Sequence, residues 1–481
     1  NITNIKGKEN NIQEKNKQKI SNYLLTIEEE KLDKNTTKTS LVLSDIYLKE
    51  ISRYNFEKEN EICTSFSEIQ KNNDIDTKII VVGTGISEYP NEEPNTGFIY
   101  LIEIDYKNNY SMKKIKEIQT KGGIYKIKAL KNCIYASIGN TLFIYKIIKN
   151  YESKKLTESY EIKLIKKYSQ FTLINDIYLY DYNPNLEENQ QIKTNADNNI
   201  TKSEKKNKIE IEEDEFANKI NENDISDNEE ENKSKSEENK SKNEEDIHYI
   251  IISDLYRSIV LYSYDVNNDK LNEICRDYNL TWVYSISQYK NNLLYISDID
   301  GNIVSLEKNL HPKSDQENFR FERRAYFNLS ERINSMVMTS IKNPKLFLLS
   351  PDNNSFSIIE SENLEENIPE DVNVTYYGTM EGSVGIIISL KKEVYDFLKA
   401  LECAIIKRVN NFGNFDYDKW RSFKDGFNNK KAVGFVEGNI VEDFLNYDES
   451  LKMSIINEMK FPWDKNLSDI VNIIETLAKC H

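Results

Sequence analysis

The side chains able to do chemistry are few and scattered. The 481 residues contain three histidines and five cysteines, Cys63, Cys133, Cys275, Cys403 and Cys480. No CxxC pair exists and no histidine stands at a ligand-like spacing from a cysteine, so no metal site and no cofactor are expected. An odd set of distant cysteines reads as reduced thiols in an intracellular protein. Serine nucleophiles and phosphate chemistry announce themselves by GxSxG and P-loop patterns, and neither occurs. The GxxG of Gly382 to Gly385 reads as a hairpin turn. Carboxylate catalysis needs acids converging on one centre. Asp254, Asp298 and Asp352 each sit at the break between two apolar runs, where Asp is first of all a turn former. The chain therefore reads as a non-enzyme, and the chemistry left to it is recognition. Arg257 can grip a carboxylate in a bidentate fork, and Trp282 is of the type that anchors interfaces.

These residues ride on a repeated element. From His248, HYIIISDLYRSIVLYSY is an apolar run, a Ser-Asp break and a second apolar run, which reads as an antiparallel hairpin. The pattern recurs from Ser40, Lys78, Asn132, Asn292, Lys345 and Val374, with SD, GT, IGN, SD, SPD and GT at the breaks. Seven self-similar β units predict a seven-bladed β-propeller over residues 40–391, each blade burying its faces against its neighbours. None carries the Gly-His and Trp-Asp marks of a WD repeat.

After Leu390 the apolar period changes from 2 to 3.6. Tyr395, Leu398, Leu401, Ile405 and Val409 fall on one helical face, and Ile470, Ile473, Ile474 and Leu477 on another, with Ser468 as a candidate N-cap. A small α-helical domain over 392–481 is expected. Residues 1–39 read as a low-complexity leader or linker, apart from an apolar patch at Tyr23, Leu24 and Leu25 that could add a strand. Residues 183–247 read as a disordered acidic insertion within the propeller.

The formal charge is −16, of which residues 201–246 supply −8 through 9 Lys against 17 Asp/Glu. Gripping a nucleic-acid backbone calls for a Lys/Arg surface. No such stripe stands out in this acidic balance, so any nucleic-acid contact is expected to be mainly indirect. No apolar run is long enough to span a bilayer, so no membrane association is expected.

Longer stretches carry a resemblance. VVGTGISEYPNEEPNTGFIYLIEI, KGGIYKIKAL, ISDLYRSIVLYSY, EICRDYNLTWVYSI, SDIDGNIV, YYGTMEGSVGII and AVGFVEGNIVEDFL occur in that order. Together they resemble the C-terminal region of the cleavage and polyadenylation specificity factor A-subunit family. That family includes the large subunit of the damage-specific DNA-binding protein, adaptor of cullin-4 ubiquitin ligases, and the large propeller subunit of splicing factor 3b. Lys419-Trp420-Arg421-Ser422-Phe423 and the C-terminal helix ending in His481 are most similar to the adaptor branch. Glu437-Gly438-Asn439 departs from the family's Asp-Gly-Asp. The first two propellers of the family are absent from this chain.

The resemblance implies a nuclear scaffold, possessing no activity of its own, that recruits WD-type substrate-receptor proteins to a cullin ligase in DNA repair. The cullin would be held by propellers outside this chain. A pre-mRNA splicing or polyadenylation scaffold is the alternative. Carried over by motif, the partner-binding positions are Ile177, Tyr178, Leu255, Arg257, Trp282, Asp298, Asn334 and Met380. Each has a plainer reading. Ile177 and Leu255 could be core, Trp282 could cap its sheet, Asn334 could serve a turn, and Arg257 could pair with Asp254 or Asp277. Trp420 and Arg421 read as packing of the helical domain.

Overall fold

The computed structural model describes residues 3–7, 21–31, 36–45, 47–69, 77–86, 93–149, 160–181, 247–290, 292–309, 312–341, 349–352, 355–358, 372–390, 392–409, 416–425, 429–459 and 466–478. The fold is mainly β, with six antiparallel propeller-type blades followed by helices. Blade 1 is β1 (Thr3–Gly7), β2 (Ser21–Lys31), β3 (Thr37–Ser44) and β4 (Glu50–Asn55). Blade 2 is β5 (Glu61–Ile69), β6 (Thr77–Ile86), β7 (Thr96–Asp105) and β8 (Ser111–Thr120). Blade 3 is β9 (Ile124–Leu130), β10 (Cys133–Ile138), β11 (Thr141–Lys149) and β12 (Tyr160–Tyr168). Blade 4 is β13 (Ile174–Leu179), β14 (Ile247–Asp254), β15 (Ser258–Asp265) and β16 (Lys270–Arg276). Blade 5 is β17 (Val283–Lys290), β18 (Leu293–Asp298), β19 (Asn302–Lys308) and β20 (Phe321–Asn328).

Blade 6 departs from this plan. β21 (Ile333–Ile341) pairs not with its immediate successors, β22 (Leu349–Asp352) and β23 (Ser355–Ile358), but with β24 (Val372–Thr379), which then pairs with β25 (Val384–Ile388). β22 and β23 form a separate two-stranded sheet. All seven expected hairpins are strand pairs, but they make six blades among the described residues, not seven. The Lys345 hairpin is an insertion, because the β21–β24 ladder leaves it no place.

Two compact units are present, one of Asn1–Ile252, Ile259–Asp277 and Lys308–Arg320, the other of Ser253–Ser258, Tyr278–Glu307 and Phe321–His481. In the first unit, each interface between consecutive blades is one core. Alternation along β6 sends Ile80 and Val82 into the core with Leu41, Leu43 and Tyr100, and Ile79 and Val81 into the next with Ile127, Ile134 and Tyr145. Burial on both faces is why the inner strands read as unbroken apolar runs, with every residue of β10 buried. Each such Ile or Val contributes about 1.5–3 kcal/mol, so blade stacking outweighs the marginal stability of any one hairpin. The stretch read as a leader supplies two strands, and Tyr23 and Leu25 are buried in the first of these cores. In blade 4 the Tyr180 amide donates to the Tyr249 carbonyl at 2.9 Å, just before and after the acidic stretch, whose residues 182–246 lie outside the described part.

The second unit holds blades 5 and 6, the short sheet of β26 (Phe423–Lys424) and β27 (Asn429–Lys430), and helices α1 (Lys392–Arg408), α2 (Tyr417–Trp420), α3 (Gly438–Asp443), α4 (Glu449–Glu458) and α5 (Leu467–Ala478). Leu398, Leu401 and Ile405 of α1 meet Phe444, Ile455, Ile470, Ile473 and Ile474 in one core. Asp448 caps α4 by accepting from the Leu451 amide at 2.7 Å. Ser468 is not a cap: α5 already begins at Leu467, which puts Ser468 inside its first turn.

Candidate partner-binding surface

In the second unit, the turns at one end of blades 5 and 6 are tied together by hydrogen bonds. Asp298 closes β18. Its Oδ1 accepts from the amides of Asp300 (3.0 Å) and Asn302 (2.9 Å), and its Oδ2 from Asn302 Nδ2 (2.7 Å). Gly301 in this turn has φ +75° and lies so near Glu331 that a Cβ would stand 2.9 Å from its carbonyl oxygen, so only glycine fits. The Gly301 carbonyl accepts from the Leu329 amide at 2.8 Å, and the Arg332 carbonyl from the Met380 amide at 2.8 Å. The Thr379 hydroxyl donates to the Glu331 carboxylate at 2.8 Å. The Ile299 amide donates to the Trp282 carbonyl at 3.1 Å. Trp282, Asp298, the Leu329–Arg332 loop and Met380 thus form one continuous rim.

A buried polar network holds this rim from beneath. Asn302 Nδ2 also donates to the Lys424 carbonyl (2.6 Å), and its Oδ1 accepts from the Lys424 amide (3.0 Å) and Asn328 Nδ2 (2.9 Å). Arg421 Nη1 donates to the Leu329 carbonyl at 2.9 Å, while its other nitrogens make a two-point contact with Glu437. Glu437 thus supplies the carboxylate that neutralises a buried guanidinium. Glu437 also lies 2.9 Å from the Tyr417 hydroxyl, and its amide donates to Glu402 Oε1 at 2.8 Å. Burial and the adjacent Glu402 and Glu437 carboxylates push the Tyr417 phenol far above its usual range, so it remains a donor. The Arg421 guanidinium stacks 3.5 Å above the ring of Trp420.

The eight residues expected at a partner surface divide by burial. Ile177 is fully buried with Tyr135, Ile250 and Ile252, and Asp298 is 4% exposed, so neither can meet a partner. Ile177 holds a blade core and Asp298 shapes the rim turn. Burial pushes the Asp298 carboxyl up to about 6, although the Asn302 hydrogen bonds pull the other way. Tyr178 is half-buried on β13 in the first unit. Leu255 and Arg257, also half-buried, lie in the β14–β15 turn, where Asp254 Oδ1 accepts from the Tyr256 amide at 3.1 Å. Among the described residues Arg257 has no ion pair. Trp282 is 37% exposed and stacks on Tyr284. Asn334 is exposed where the β21–β24 register shifts, a bulge that re-aims its side chain. Met380 is 47% exposed.

Sequence reasoning missed three strongly exposed apolar side chains near these positions. Tyr278 (59%) and Leu280 (80%) precede Trp282, and Tyr256 (64%) lies between Leu255 and Arg257. The signal was in DYNLTW, whose Tyr, Leu and Trp stand at i, i+2 and i+4 and leave an extended segment on one side. Thr281 on the other side is buried and accepts from Arg323. No helix among the described residues is long and apolar enough to cross a membrane, and no three His, Cys, Asp or Glu side chains are grouped to hold a metal.

A family model described as the CPSF A subunit region matches residues 39–178 and 238–446. The chain is also similar to DNA damage-binding protein 1 of Oryza sativa subsp. japonica, 26% identical over 233 residues. DNA damage-binding protein 1b of Arabidopsis thaliana is 25% identical over 233 residues, and DNA damage-binding protein 1 of Drosophila melanogaster is 23% identical over 246. Each match covers 48% of this chain and 19% of the relative, so the chain spans about a fifth of the length of these proteins.

Proposed function

Because the chain belongs to the CPSF A subunit region family, we propose that it is a non-enzymatic scaffold whose second unit docks partner proteins. One observation carries this reading. Tyr256, Tyr278, Leu280, Trp282 and Met380 are exposed in connecting segments of this unit, which also holds Arg257, without an ion pair among the described residues. Aromatic and Arg side chains on braced turns are the usual anchors of interfaces, and exposed apolar groups in such company mark them. Ile177 and Asp298 support the scaffold from within.

The resemblance of the Lys419–Phe423 stretch to the adaptor branch, and relatives named for binding damaged DNA, favour a more definite role. In it the parent protein recruits WD-type substrate receptors to a cullin-4-type ubiquitin ligase in nuclear DNA repair. Tyr178, Leu255, Arg257, Trp282, Asn334 and Met380 would touch the receptors, and the cullin would bind propellers outside this chain. The complete seven-bladed propeller of that role needs one blade beyond the six described. The family description itself supports a second reading, a scaffold of pre-mRNA processing.

An affinity pull-down of the intact parent protein, with Arg257→Ala/Trp282→Ala as the comparison, separates these readings. The expected result is a cullin plus WD-type receptors, with only the receptors lost in the variant. Recovery of spliceosomal or polyadenylation subunits instead would remove the ligase role.

A further inference from the structure

The chain-wide acidic balance conceals a strongly basic region. Residues 111–168 contain 14 Lys, no Arg and 4 Glu, a net of +10, which leaves −26 for the rest of the chain. The structure gathers several of these lysines on the outer half of blade 3. Lys146 of β11 stands directly opposite Lys163 of β12, and Ile144 opposite Lys166. The register shift between Ile144 and Tyr145 brings Lys163 and Lys166 to one face, three residues apart where simple alternation would separate them. All three lysines are exposed. Like charges directly opposed across two strands are destabilising, so folding alone does not favour this arrangement.

Lysine on an outer strand can simply blunt a sheet edge. The other four-stranded blades show how that is done here. Each has an outer-strand cation ion-paired within its blade: Arg53 to Glu50 and Glu28, Lys114 to Glu117, Arg276 to Glu273, and Arg324 to Glu307 and Glu322. Their remaining outer-strand lysines, Lys113, Lys116 and Lys270, stand opposite Glu103, Leu101 and Asp265, never opposite another lysine. Lys146, Lys163 and Lys166 have no ion pair among the described residues, and the one acid on either strand is Glu161, opposite Ile148. On the reverse face Lys167 lies 5.1 Å from the centre of the Phe143 ring.

We propose that this face of blade 3 binds the phosphodiester backbone of nucleic acid, with Lys146, Lys163 and Lys166 each meeting a phosphate. A polyanion supplies several charges at once to a row of ammonium groups on flexible stems. Carboxylates of an acidic peptide would be matched by arginine forks, and the basic region has none. A membrane surface would call for an amphipathic helix beside the lysines, and here they stand on strands. This inference does not depend on the adaptor reading, since it concerns the other unit and direct contact with nucleic acid.

The test is fluorescence anisotropy of the 481-residue chain with a labelled DNA duplex of about 20 base pairs across a salt series. Removing three phosphate contacts by Lys146→Ala/Lys163→Ala/Lys166→Ala should lower the slope of log affinity against log salt by about 2 to 3. It should also weaken binding at least tenfold at low salt. Lys146→Arg/Lys163→Arg/Lys166→Arg should restore both, and Arg257→Ala/Trp282→Ala should change neither. Matched circular dichroism and thermal melting confirm that the variants are folded. The proposal is overturned if the chain does not bind the duplex at low salt, or if the alanine variant binds as the unmodified chain does. Equal binding to polyglutamate, or to phosphatidylserine vesicles, at matched salt would also overturn it.

Discussion

On the outer strand of blade 5, Arg324 lies between Glu307 and Glu322, and Tyr326 pairs with Val433, which covers part of the strand edge. On the outer strand of blade 3, Lys163 faces Lys146, with no ion pair to either among the described residues. The two blades share strand number, antiparallel order and buried inner strands. A chain this rich in acids could have neutralised both edges. The difference teaches that blade architecture fixes where charge stands but not whether it is satisfied. Blade 5 is closed off by partners of its own chain, whereas blade 3 is left able to take a partner from outside.

The sharpest way to break the contrast is to remove the brace beneath blade 5. Arg421→Ala strands Glu437 as a buried unpaired carboxylate, and losing one member of such a pair costs about 3–5 kcal/mol. Chemical denaturation should show that loss, while Lys166→Ala on blade 3 should shift the midpoint hardly at all. A pH series gives the next effect. Folding raises the Asp298 carboxyl from its ordinary value near 4 to about 6. Between those values the folded chain holds a proton that the unfolded chain has lost. The contribution is therefore complete below about pH 4 and is lost as pH rises through 6, a change of about 3 kcal/mol. Asp298→Asn should remove that slope from the difference in denaturation free energies. An unchanged slope would mean that the turn leaves the carboxyl solvated.

The smallest effect tests the comparison by its sign. Lys163→Glu replaces a like-charge pair with an opposite one and should stabilise by about 0.2–1 kcal/mol. Arg324→Glu, set among Glu307 and Glu322, should destabilise by a similar amount. Equal signs in paired melting experiments would remove the electrostatic distinction between the blades.

Much of the fold is legible in the sequence because hairpins are local: each SD, GT or IGN break lies between strands that pair with each other. The blade count is not local. That β21 skips the next hairpin to pair with β24 is decided by partners more than thirty residues away, with no mark in either strand. Among the candidate residues, Trp282 and Met380 are exposed, which residue type alone did not fix and only the resemblance gave reason to expect. The burial of Ile177 was not legible, because in INDIYL the polar residues Asn175 and Asp176 are adjacent and give alternation no phase to read. Arg421 and Glu437 stand 16 residues apart with no single helix or strand spanning both, so only the folded chain reveals the pair. The lysines of blade 3 vanished in a chain-wide sum, although a count over single blades would have shown them.

The bond between Tyr180 and Tyr249 has a practical consequence. It clasps the two ends of a connection of 68 residues, so the blade's register is set at the clasp and not by what is threaded between. Each doubling of a closed loop's length costs only about 0.6 kcal/mol. The position is therefore a splice port: a compact reporter domain with adjacent termini, put in place of residues 183–246, should leave blade 4 zipped while it reports on the parent protein in the cell.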